Sequence, residues 1–297
     1  MNALRAAIAL VVALVAVGTV GTGQTPAPLS DRATARTNTA GVSTERLTRI
    51  DAMLQSYVDR GLIPGAVALV LRDGRPVYQK AVGWADKEAG RPMRPDTLFR
   101  IASQTKAITS VAALTLVEEG QLGLSDQVGK YIPSFAKTTV AVREGNAKSI
   151  VPAKRPITIR DLLTHTAGIS YGVDAHIAKE YEAKGLGPAA GAGWYFADKK
   201  EPICDAMQSL GTLPFVAQPG EAWVYGYNTD VLGCVIERVT GQSLDQVIAA
   251  RVTRPLGMAD TRFYVSPDQR DRLAAVYSSG GDGRASTREK PRPTCHR

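Results

Sequence analysis

The sequence predicts a mixed α/β fold of the α+β kind, with an antiparallel sheet subdomain beside a mostly helical one. Two observations carry this. Two β-rich runs, Ala66 to Leu71 and Val77 to Val82, flank Asp73-Gly74, a dipeptide suited to the tight turn of an antiparallel hairpin. From Ala102 to about Arg251 apolar residues then recur at helical spacing, interrupted by loops. With 297 residues, 44% of them hydrophobic, the chain has material for one large domain or two smaller ones.

Met1 to Gly23 carries Arg5, an apolar run from Ala6 to about Val20, and small residues Gly21 to Gly23. This pattern predicts a secretory signal peptide cleaved near Gly23, and hence a periplasmic or secreted protein without a stable membrane span after cleavage. Residues 24–41, rich in Thr, Pro and Ala, read as a linker. The main domain is expected over 42–277. It opens with a helix from about Thr44 to Arg60, marked by Leu47, Ile50, Leu54 and Tyr57 and closed by Gly61.

After the hairpin, a helix from Ser103 to about Glu119 carries Ile108, Val111, Ala112, Thr115 and Leu116, with Gly120 as its stop. A short helix is expected over Thr158 to Leu163. Another has Pro202 in its first turn and carries Ile203, Met207 and Leu210 before Gly211. A third starts at Asn228 or Thr229 and ends before Gly241. The run Gly185 to Gly193 is a surface loop, equally a plain connector or a pocket rim. Residues 278–297 form an irregular basic tail.

The formal net charge is +8, but the last fourteen residues hold five Lys or Arg against Glu289 alone. Half of the excess therefore sits in the tail, no basic stripe interleaved with aromatics crosses the body, and nucleic acid is excluded as a partner. Cys204 and Cys234 fall on helical stretches and are expected as core thiols rather than a disulfide pair. With His165, His176 and His296 as the three histidines, no zinc constellation forms, and neither metal nor organic cofactor is expected.

The chemistry centres on Ser103-Gln104-Thr105-Lys106. The i, i+3 spacing puts nucleophile and base on one helix face, and the helix start favours an alkoxide while disfavouring the Lys106 ammonium. A lysine acts as base only when neutral, so the expectation is a dry, electropositive site. Taken alone, the pair reads more readily as a helix N-cap serine followed by a solvated lysine.

Two later stretches add weight. Leu162-Leu163-Thr164-His165-Thr166-Ala167-Gly168 follows the short helix, and Pro219-Gly220-Glu221-Ala222-Trp223-Val224-Tyr225-Gly226-Tyr227 precedes the helix with Asp230-Val231-Leu232-Gly233. In this order the three motifs resemble the serine hydrolases with the class C β-lactamase fold, which include penicillin-recognising DD-peptidases and family VIII carboxylesterases. The resemblance covers about Thr44 to Tyr277 and implies a β-lactamase/DD-peptidase-like fold. By position, it implies Ser103 as the nucleophile, Lys106 as its base partner and Tyr225 as a second general base. It makes His165 a hydrogen-bonded scaffold residue. Tyr227 stands where many β-lactamases have Asn, a departure that leans towards esterase.

Gly168-Ile169-Ser170-Tyr171-Gly172 fits the Gly-x-Ser-x-Gly pattern, but no buried strand precedes Ser170 as a nucleophile elbow requires. Ser125-Asp126-Gln127 reads as part of a loop rather than a catalytic element. The third motif of the resembling family, a Lys-Thr-Gly, His-x-Gly or Trp-Gly-Gly triplet on a late strand, does not follow Tyr225, so the chain reads as lacking C-terminal strands and a closing helix. The resulting expectation is an exported serine hydrolase, acting through an acyl-enzyme on a small-molecule ester, β-lactam or D-alanyl peptide, in that order. The alternative is a cell-wall-binding or relic module that keeps the pocket without turnover.

Overall fold

The computed structural model describes residues 41–145, 147–188, 201–280 and 285–288. The expected signal peptide, all but the end of the linker, part of the 185–193 loop and most of the basic tail lie outside the described residues.

Helix α1 spans Thr44–Asp59, with Ser43 accepting a hydrogen bond from the Arg46 amide as its N-cap. Strands β1 (Gly65–Arg72) and β2 (Arg75–Asp86) pair antiparallel, and β3 (Arg91–Pro92) adds to the other edge of β2. The turn works as its sequence demands: Asp73 and Gly74 both take positive φ, 50° and 70°, which Asp tolerates and Gly adopts freely. Helix α1 packs on β2, where Tyr78 donates to Asp51 at 2.6 Å.

Helix α2 runs Thr105–Glu118 after a 3₁₀ turn at Ala102–Gln104. Its buried face is Thr109, Ala112, Ala113 and Leu116, whereas Val111, expected inward, is 46% exposed. The region from Ala102 to Arg251 is less uniformly helical than its periodicity predicts. Strands β4 (Thr139–Glu144) and β5 (Ala147–Pro152) form a hairpin, and β6 (Pro214–Phe215) joins β4 in parallel. Gly145 turns the chain between the first two at φ 62°.

Helix α3 (Ile159–Leu163) begins with a full capping box between Thr158 and Asp161. Helices α4 (Ala178–Ala183), α5 (Ile203–Leu210), α6 (Asn228–Thr240) and α7 (Leu244–Ile248) complete the helical part. Helix α6 is its centre: Val231 to Ile236 are all buried, and it packs against α2, α3, α5 and α7. Gly241 ends it at φ 67°.

Two expectations are corrected here. Cys204 on α5 and Cys234 on α6 form a disulfide, because the packing of these helices brings their Cα atoms to 4.9 Å. The tail is not wholly irregular either: β7 (Tyr277–Ser279) pairs antiparallel with β8 (Ala285–Arg288). No helix among the described residues is long and apolar enough to cross a membrane.

Candidate active site

The turn that presents Ser103 is sharp. Ala102, immediately before it, takes φ 44°, a left-handed conformation that costs an alanine about 1–2 kcal/mol, and Ser103 emerges exposed on a 3₁₀ turn rather than inside a regular helix. Lys106, one turn on, donates from Nζ to Ser103 Oγ at 3.2 Å.

The third group arrives from 122 residues away. Tyr225 Oη lies 2.7 Å from Ser103 Oγ, so serine, lysine and tyrosine converge on one oxygen. The segment carrying Tyr225 is held by backbone pairing, with Val224 N–H donating to His165 O at 2.8 Å. Gly226 lets it lie close to its neighbour: a Cβ there would stand 2.2 Å from Ile169 O. This is why the chain carries Gly beside Tyr225.

Aromatic rings surround the cluster. The Tyr225 ring stacks on His165 at 5.0 Å and on Trp223 at 5.8 Å, and Tyr171 meets it edge-on at 5.7 Å. Lys106 Nζ sits 4.8 Å from the Tyr225 ring centre and 5.8 Å from that of Tyr171.

Charge is distributed differently from the sequence expectation. Burial pulls the Lys106 ammonium towards losing its proton, but contacts with Tyr225 and Tyr171 outweigh it, and its pKa is raised above the ordinary lysine value. Burial raises the Tyr225 phenol, yet Ser103 and the Lys106 cation outweigh that and Asp230, holding it below its ordinary value of 10. These directions run against the neutral lysine that the sequence leads one to expect. The site is open rather than dry, with Tyr225 39% and Trp223 68% exposed, and the pKa directions of Lys106 and Tyr225 are the reverse of a lysine made acidic beside an ordinary phenol.

His165 has the scaffold position expected of it. It takes φ 57°, its Nδ1 receives the Asn228 side-chain amide at 3.0 Å, and burial together with the Lys106 charge holds its pKa below the ordinary range. Ser170 is buried, and its Oγ accepts from Gly172 N–H at 2.8 Å, so it supports a turn. Asp126 likewise organises a loop, accepting from Gly123 N–H, Lys130 and Tyr131. Tyr227 is buried and donates to Leu186 O at 2.5 Å.

Sequence reasoning missed Tyr171, Asn228 and the exposure of Trp223. No periodic signal marks them, since they gather around Tyr225 only in space. Among the described residues no cluster of three His, Cys, Asp or Glu could hold a metal ion.

Comparison with known proteins gives the family. Esterase EstB of Burkholderia gladioli is 38% identical over 232 residues, which cover 78% of this chain and 55% of that protein. A lovastatin esterase of Penicillium rubens is 35% identical over 238 residues, covering 77% and 57%. The solved structure of EstCE1, described as a hydrolase with promiscuous acyltransferase activity, superposes with a TM-score of 0.66 at 33% identity, covering 77% of this chain and 56% of that one. The chain thus spans between half and two thirds of the length of these relatives. Residues 50–294 match the β-lactamase family, and the chain belongs to it, with a β-lactamase/DD-peptidase-like fold and family VIII esterase-like relatives.

Proposed function

We propose that the protein is an exported serine hydrolase that cleaves carboxylic esters through an acyl-enzyme on Ser103. The convergence of Tyr225 Oη at 2.7 Å and Lys106 Nζ at 3.2 Å on Ser103 Oγ carries this reading. Ser103 Oγ attacks the ester carbonyl as its proton passes to the Tyr225 phenolate, with Lys106 holding positive charge beside both. The tetrahedral intermediate collapses, the C–O bond to the alcohol breaks, and Tyr225 returns the proton to the departing alkoxide. Water then attacks the acyl-serine, gives its proton to Tyr225, and releases the acid as Ser103 recovers its own proton.

Esters rank ahead of β-lactams and D-alanyl peptides because two of the matched relatives are named esterases and Tyr227 replaces the Asn of many β-lactamases. Export draws support from the apolar run after Arg5 and from the Cys204–Cys234 disulfide, a bond that persists in oxidising compartments. A fluorophosphonate probe followed by peptide mass spectrometry tests the core of the reading: the adduct is expected on Ser103 and absent in Ser103→Ala. An adduct on Ser170, or one that survives Ser103→Ala, overturns it.

A further inference from the structure

Helix α2 and the turn before it have two functional faces. Ser103 and Lys106 occupy one. Thr105 and Ile108 on the helix, with Ile101 before the turn, line the other, a cavity of about 570 Å³ whose far wall comes from Asp245 to Tyr264. This volume falls in the range of small-molecule sites, about 300–1,000 Å³.

The lining is amphipathic. Ile101, Ile108, Ile248, Met258 and Phe263 give an apolar wall, and Arg254 and Arg262 bring cations to it. Ile101, Phe263 and Tyr264 are 39%, 44% and 39% exposed, so apolar surface faces water here unless something covers it. The one acid on the wall, Asp245, accepts from Ser243 Oγ at 2.6 Å. Arg262 lies in the field of Asp260 and Asp268, which leaves Arg254 as the cation best placed for a ligand anion.

We propose that this cavity binds a monocarboxylate with an aliphatic chain, the chain lying on the isoleucine and Phe263 wall and the carboxylate facing Arg254. A fatty acid matches both halves, whereas an alkylammonium of equal length would place like charges together. Ser103, Lys106 and Tyr225 are not among the residues that line it, so it is distinct from the acyl site on Ser103. It does not depend on Ser103 acting as a nucleophile.

The test is a titration of the full chain carrying Ser103→Ala, which removes acyl transfer, with sodium decanoate, observed by NMR of ¹³C-methyl isoleucine. Saturable shifts are expected at Ile101, Ile108 and Ile248, with no shift at Ile150, which is 48% exposed on β5 and outside the cavity. Decyltrimethylammonium is expected to bind at least about tenfold more weakly, as is decanoate to Arg254→Glu. Equal affinity for the two amphiphiles, an unchanged affinity in Arg254→Glu, shifts at Ile150 matching the other three, or no shifts at all overturns the assignment.

Discussion

Asn228 donates its side-chain amide to His165 Nδ1 at 3.0 Å and to Val224 O at 3.1 Å, so one buried residue at the start of α6 ties together both turns that frame Tyr225. Replacing Asn228 by Ala leaves His165 Nδ1 and Val224 O without this donor. The expected cost is about 1–3 kcal/mol, read as a lower denaturation midpoint in urea. An unchanged midpoint would show that the two turns hold themselves.

Tyr225 and Lys106 predict a directional pH effect. In the proposed mechanism Tyr225 works as phenolate, and Ser103 and Lys106 hold its pKa below 10, so ester hydrolysis is expected to rise with pH through that lowered value. Lys106→Met removes the cation, lets the phenol pKa climb, and moves the rising limb of the kcat/KM profile to higher pH. Tyr225→Phe removes the acceptor altogether and is expected to lower kcat/KM by about 10²- to 10⁴-fold. Rate profiles with p-nitrophenyl butyrate read both effects, and a profile unmoved in Lys106→Met would transfer the limb to another group.

The Arg155–Asp161 pair ties acid stability to the same framework. Asp161 accepts two bonds from Arg155, at 2.7 and 2.9 Å, and caps α3, just ahead of His165. Burial raises its pKa, but Arg155 and Thr158 outweigh burial and bring it down to about 2 from an ordinary 3.8. A carboxyl depressed in the folded state contributes stability that is complete above the unfolded value near pH 4 and is lost as pH falls towards 2. Asp161→Asn should cost about 2 kcal/mol at pH 7 and flatten the acid limb of the stability curve between those values. Urea titrations at pH 3 and pH 7 measure the difference.

Much of the fold is legible because glycines punctuate it. Gly61, Gly120 and Gly241 all take φ near 70° at or just beyond helix ends, where the sequence places them. The β4–β5 hairpin is harder to read, since short apolar runs fit a buried helix as well as a strand. Ser103, Lys106 and Tyr225 are legible through their local wording, and the structure brings all three together. The charge on Lys106 is not legible: spacing gives its neighbours on the helix, whereas Tyr171 and Tyr225 reach it from other segments. The disulfide is hidden for the same reason, because thirty residues of separation become one bond only when α5 lies on α6.

That disulfide closes a loop long enough for its removal to be measurable. By loop-closure entropy the expected contribution is about 3–4 kcal/mol. Cys204→Ala with Cys234→Ala, or reduction of the unmodified protein, should lower the thermal midpoint. Thiol titration of the unreduced protein should find one of its three cysteines reactive once unfolded. Three reactive thiols would return Cys204 and Cys234 to separate core positions.

The last prediction concerns β1, which pairs with β2 on one side and with no other strand among the described residues. Leu69, Val70 and Leu71 are 49%, 39% and 55% exposed along it, a combination of unpaired backbone and apolar side chains that favours association. In an antiparallel pair every second amide of an edge strand points away from its partner. Alternate β1 amides should therefore exchange with solvent far faster than those of Val231 to Ile236, all buried at the centre of α6. Leu69→Lys with Leu71→Lys should raise solubility while leaving the denaturation midpoint nearly unchanged, because these side chains lose little burial. Hydrogen exchange by mass spectrometry and static light scattering check the two parts. Uniformly slow exchange from Gly65 to Arg72 in a monomer would mean that another segment covers the strand, and the lysine pair would then lower stability instead.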